Sequence, residues 1–200
     1  MQHRRAGALI LGMVAAAPTL AAQQRSAEQL IAEAVSPLPE PLRDGATVAS
    51  RTGGAKLSVI RQGSNPMICL TDDPAVEGFH AACYHRDLEP FMEAGRRARA
   101  EGKSGDEVRE LRLAEIDAGK WSMPRQASAL YSLTAPEGSF DYEAGTATGG
   151  RRLYVIYVPY ATEESIGVSA EGAPDRPWLM HPGTPFAHLM ILPPEAPRRE

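Results

Sequence analysis

Both cysteines of the chain and two of its five histidines lie within eighteen residues, ICLTDDPAVEGFHAACYH, from Ile68 to His85. Thiolates, imidazoles and carboxylates that converge can hold a transition metal, zinc above all, with four ligands in a tetrahedron. Two thiols in an oxidising compartment instead close a disulfide. The spacing favours the second chemistry. The chain has no C-x-x-C, no H-E-x-x-H and no C-x-x-C-H, so no specific metal or haem signature is present. A thiolate site needs His80, Cys83 and His85 with Asp72 or Asp73, and a helical 80–85 segment sends His85 away from Cys83. Cys69 ends an apolar run and Cys83 precedes a helical pattern, so a Cys69–Cys83 bond is expected to tie strand to helix across TDDPAVEG. Closing a loop of this size stabilises a fold by about 3 kcal/mol in the chain-entropy model. No metal and no cofactor are expected; the alternative is an imidazole site using His80, His85 and His188.

The remaining candidates favour structural roles. His188 shares a face with Phe186 and Met190 in FAHLMIL, which suits a buried neutral imidazole, and His181 before Pro182 reads as a turn residue. Asp72-Asp73 before Pro74 is turn chemistry, because such side chains bond their own backbone. Ser169 in GVSAE lacks the second glycine of a nucleophile elbow, and GTATGG lacks the lysine of a phosphate loop. Arg96, Arg97 and Arg99 fall near the end of a helical segment, where a solvated basic face complements the helix dipole, in preference to an anion-binding patch.

Elements that must position these residues follow from periodicity. Ser26 and Gln29 stand at capping-box spacing before a helix ending at Val35, and Pro37, Pro39 and Pro41 stop it. From Thr47, short apolar runs alternate with the turn signals Gly53-Gly54 and Asn65-Pro66, which reads as a three-strand antiparallel meander. Leu57 and Val59 on one face with Ile60 on the other make KLSVIR the expected central strand. Asp87 is expected to cap a helix beginning at Leu88 with Pro90 in its first turn, and Ser104 with Glu107 opens another that runs to about Gly119. ALYSL is a strand, Gly138 to Gly150 a long loop, and RLYVIYVPY a buried central strand. Trp178-Leu179-Met180, a turn at HPGTP and FAHLMIL complete the chain. Strands and helices segregate, so the expected fold is α+β, a single domain with a mostly antiparallel sheet and a few packed helices.

Residues 1–22 carry Arg4 and Arg5, the apolar run Ala8 to Ala17 and small residues around Ala21, the pattern of a cleaved secretory signal peptide. The run is too short for a membrane span, which takes about 20 apolar residues. A globular domain over 23–192 and a disordered tail over 193–200 are expected, with no integral membrane segment in the mature chain. The formal charge of −4 becomes −6 once the two positive charges of Arg4 and Arg5 are removed, which argues against nucleic-acid partners. The expected product is a secreted or periplasmic, non-catalytic binding or interaction protein with an unspecified ligand or protein partner. The alternative is a small metal-dependent enzyme built on His80, His85 and His188.

Overall fold

The structure is a computed structural model, and it describes residues 25–51, 55–73 and 76–194. Residues 1–22, expected to be a signal peptide, the Gly53-Gly54 turn and all but the start of the expected tail lie outside the described residues. Helix α1 (Ala27–Val35) has the capping box the sequence calls for, with the Ser26 side chain accepting from the Gln29 N–H and the Gln29 side chain accepting from the Ser26 N–H. A one-turn helix α2 (Glu40–Arg43), with Pro41 in its first turn, links it to the sheet.

The next strands are β1 (Thr47–Arg51), β2 (Leu57–Arg61), β3 (Met67–Leu70) and β4 (Phe79–His85). They do not form a meander. β1 pairs antiparallel with β2 and parallel with β3, so β2 is the outermost strand of an eight-stranded sheet ordered β2-β1-β3-β4 on this side. KLSVIR is therefore an edge strand, with Val59 57% exposed. Its irregular register explains the misleading pattern: Arg61 faces Val48 and Val59 faces Ala49, leaving Ile60 as the extra residue of a bulge. Ile60 turns to the α1 face while Leu57 serves the other.

A second correction concerns 79–85. This segment is a strand, hydrogen-bonded to β3 on one side and to the following strand on the other, and it precedes a single 3-10 turn, Arg86–Leu88. Asp87 does not cap helix α3 (Glu89–Ala100), which has no side-chain cap; the His85 ring accepts the Asp87 N–H at the start of the 3-10 turn. Pro90 stands in the first turn of α3, where a missing N–H costs nothing. Helix α4 (Gly105–Asp117) opens on the Ser104/Glu107 capping box.

The second half supplies β5 (Ser128–Ala135), a small separate hairpin of β6 (Phe140–Asp141) and β7 (Thr146–Ala147), and β8 (Arg151–Tyr157). A short helix α5 (Glu163–Ile166), β9 (Trp178–Met180) and β10 (His188–Ile191) follow, giving the order β4-β5-β8-β10-β9. β8 is interior to the sheet, but the most continuous burial belongs to β4, where Phe79, Ala81, Ala82, Cys83 and Tyr84 are all buried. The fold is one α+β domain with a mostly antiparallel mixed sheet.

Alternation sends two sets of side chains to opposite faces. Val48, Met67, Cys69 and Cys83 pack against Ala34, Val35 and Leu38 around α1. Ala49, Leu70, Tyr84, Val155 and Tyr157 pack against Leu88, Phe91 and Met123 on the α3 side. Among the described residues no helix is long and apolar enough to cross a membrane.

Candidate functional site

Cys69 and Cys83 occupy directly opposed positions of β3 and β4 and are bonded to each other, 14 residues apart in the chain. The bond joins strand to strand, not strand to helix as the sequence suggested. It is fully buried on the α1 face, so neither sulfur is available as a ligand.

The three histidines do not converge. His80 and His85 lie five residues apart on one strand and therefore face opposite sides of the sheet. His188 sits on β10, three strands from β4 and so about 14 Å away at the usual strand spacing. Its Nδ1 lies 2.7 Å from the Phe186 carbonyl, and its ring packs on Tyr157 and, with centroids 5.7 Å apart, on His181. Burial lowers its pKa, partly opposed by the Phe186 carbonyl, and His181 lowers it further. Among the described residues no three histidine, cysteine or acidic side chains gather as a metal cage.

A pocket of about 670 Å³ does exist, between the sheet and α3. Its floor comes from one face of three adjacent strands: Leu70 of β3, His80, Ala82 and Tyr84 of β4, and Leu130 and Ser132 of β5. The registers Leu70↔Ala82↔Ser132 and Tyr84↔Leu130 place these residues side by side. Met92, Arg96 and Arg99, four and then three residues apart, form the α3 wall together with Ala100. Arg51, Asp73 and Val76 stand at the rim. The lining is mostly apolar at its base, with His80, Ser132 and Tyr84 as its polar members, and cationic above.

The three arginines differ in their neutralisation. Arg96 Nη2 donates to Glu89, its Nη1 to the Tyr84 hydroxyl at 3.1 Å and its Nε to the Ala55 carbonyl at 3.1 Å, while the Tyr84 hydroxyl donates to Glu89. Burial opposes the Arg96 charge, yet the Glu89 hydrogen bond and neighbouring charges hold its pKa above the usual value. Arg51 faces Asp73 at 3.5 Å; burial lowers its pKa, with Asp73 and Asp72 opposing. Arg99 is exposed, and its side chain makes no ion pair or hydrogen bond among the described residues. The pocket thus holds two matched cations and one unmatched.

His80 is held neutral at pH 7, because burial and then the Arg51 charge lower its pKa, against the pull of Asp72 and Asp73. It stands diagonal to Ser132 across the β4–β5 pair, and no hydrogen bond joins the two side chains. Sequence reasoning named His80 but missed the pocket. Arg96 and Arg99 were visible with Arg97 near a helix end, where they read as a solvated basic face; Arg51 and the strand floor become a site only through the β1-β3-β4-β5 order, which leaves no local trace. Comparison of the chain with protein-family models, with curated proteins and with solved structures finds no match.

Proposed function

We propose that the protein is an exported, non-catalytic binding domain and that the pocket beneath α3 receives its ligand, a small organic anion. The observation that carries this reading is the unmatched Arg99 above an apolar floor. Binding sites of this kind are concave and mostly apolar with a few polar groups that fix orientation, and about 300–1,000 Å³ is their usual size. The pocket's 670 Å³ falls inside that range. Its cations stand out on a chain whose overall formal charge is negative, so they mark a local preference for anions rather than a general basic surface. Ser132 and His80, the nearest approach to a nucleophile and base, are not hydrogen-bonded to each other, which favours binding over catalysis. Export is supported by the signal pattern over 1–22 and by a disulfide that suits an oxidising compartment.

Fluorescence titration with 8-anilinonaphthalene-1-sulfonate, an apolar monoanion, tests the binding reading. Saturable binding at one site is expected, and Ser132→Phe, which fills the floor, should abolish it. Absence of saturable binding, or binding indifferent to Ser132→Phe, overturns the proposal. Export is tested by N-terminal sequencing of periplasmic or secreted material: a start near Ala22 or Gln23 supports it, and a soluble cytoplasmic product retaining Met1 refutes it.

A further inference from the structure

Resting on the pocket reading above, we infer that the ligand is a monocarboxylate with a flexible aliphatic body, its carboxylate held by Arg99 at the mouth and its chain laid along Leu70, Ala82 and Leu130 beneath Met92. Charge sets the headgroup. Arg51 faces Asp73 and Arg96 is matched by Glu89, so of the three arginines that line the pocket only Arg99 has no ion pair among the described residues. A single negative charge completes the set. A second one finds no unmatched arginine in the lining and must lose hydration against Leu70, Ala82 and Leu130, with only the uncharged donors His80 and Ser132 beside it. A cationic ligand meets three guanidinium groups.

The body is set by the walls. Leu70, Ala82, Leu130 and Met92 present methyl and methylene groups, and Met92 supplies an adaptable unbranched surface suited to a flexible chain. Among the described residues no phenylalanine, tyrosine or tryptophan except Tyr84 lines the pocket, and the Tyr84 hydroxyl is already committed to Glu89 and Arg96. The pocket therefore lacks the aromatic faces between which a planar ring would stack.

Displacement of bound 8-anilinonaphthalene-1-sulfonate from the full chain separates the alternatives, using decanoate, decan-1-ol, decylamine and decanedioate. Decanoate should bind at least about tenfold tighter than decan-1-ol, the usual range for a hydrogen bond to a charged group, with decylamine and decanedioate weaker than decanoate. Each methylene removed from the acid should weaken binding by about fourfold. Arg99→Gln, at an exposed position that leaves the fold undisturbed, should bring the acid down to the level of the alcohol and leave the alcohol unchanged; Arg99→Lys should restore part of the difference. Equal affinity for acid and alcohol, tighter binding of the amine or diacid, or an acid preference that survives Arg99→Gln overturns the inference. So does failure of all four compounds to displace a probe that itself binds, an outcome that leaves the pocket as a binding site but for another ligand class. Failure of the probe to bind overturns the pocket reading instead.

Discussion

The Tyr84 hydroxyl is shared between Glu89 and Arg96, and it adds a third anchor to a guanidinium already held by Glu89 and the Ala55 carbonyl. Tyr84→Phe keeps the ring, which is 1% exposed, and removes only the hydrogen bonds. Because the partners are charged, urea denaturation should show a loss of about 1.5 kcal/mol. Glu33 is a different kind of buried charge. It has no exposure, and its carboxylate accepts from Arg25 at 3.0 and 2.8 Å, from the Tyr142 hydroxyl at 3.1 Å and from the Asp72 N–H at 3.3 Å. Burial nonetheless raises its pKa above the ordinary 4.5, with Arg25 the chief opposing influence. An acid with a raised folded pKa binds its proton more tightly in the fold than in the unfolded chain, so its contribution to stability falls as pH rises through the window above 4.5. Wild-type stability relative to Glu33→Gln should therefore decline as pH rises above about 4.5. A constant difference in denaturation free energy across that window refutes the assignment. Neither residue was legible as special in the sequence: Glu33 reads as an ordinary helix position, and its partners lie as far away as Tyr142.

At the scale of elements, capping chemistry was readable and strand partnership was not. Ser26/Gln29 and Ser104/Glu107 signal helix starts within three residues of chain, and both boxes form. FHAACYH escaped because its small central residues carry no alternation of bulky apolar and polar types, and flanking prolines suggested loop and helix. The parallel β1–β3 pair depends on a turn between β2 and β3 whose tightness resides in Gly63. A Cβ there would stand 2.3 to 2.4 Å from backbone atoms of Gly45, Ala46 and Thr47, none of which can yield as a side chain tip can. Gly63→Ala should cost several kcal/mol, about 2 to 4, read as a lowered urea midpoint; an unchanged midpoint would show that the turn gives way. For the β3–β4 pair, replacing both cysteines by alanine should lower stability by about 2 to 4 kcal/mol. A reductant should then weaken the native protein by a similar amount and leave the double variant unaffected.

Taken as a whole, the molecule separates its staple from its pocket. The disulfide lies with α1 on one face of the sheet, and the pocket lies under α3 on the other. Reduction at a temperature well below the melting transition should accordingly leave binding of 8-anilinonaphthalene-1-sulfonate within about twofold of the oxidised protein, since sites without shared contacts are usually independent. A large loss of binding in a reduced but still folded chain would show coupling through β4, the strand common to both. The α+β class was legible because it depends on the order of local patterns, which segregate. Sheet order was hidden because β5 pairs with β4, and β10 with β8, across long intervening stretches of chain, and the pocket inherits that opacity.

The bulge at Ile60 bears on how this protein comes out of solution. An open sheet edge is a template for a second chain, and natural edges are blunted by short strands, bulges and charge. β2 has five residues, carries the bulge itself, follows Lys56 and ends at Arg61, whose guanidinium folds back onto the Arg43 and Ala46 carbonyls. The opposite edge, β9, has three residues. Native molecules thus offer little for edge-to-edge growth, and aggregation must start from chains that have lost the fold. Turbidity on gentle heating should rise with the unfolded fraction: earlier for Tyr84→Phe than for wild type, in proportion to its lost stability, and not simply with the concentration of folded protein.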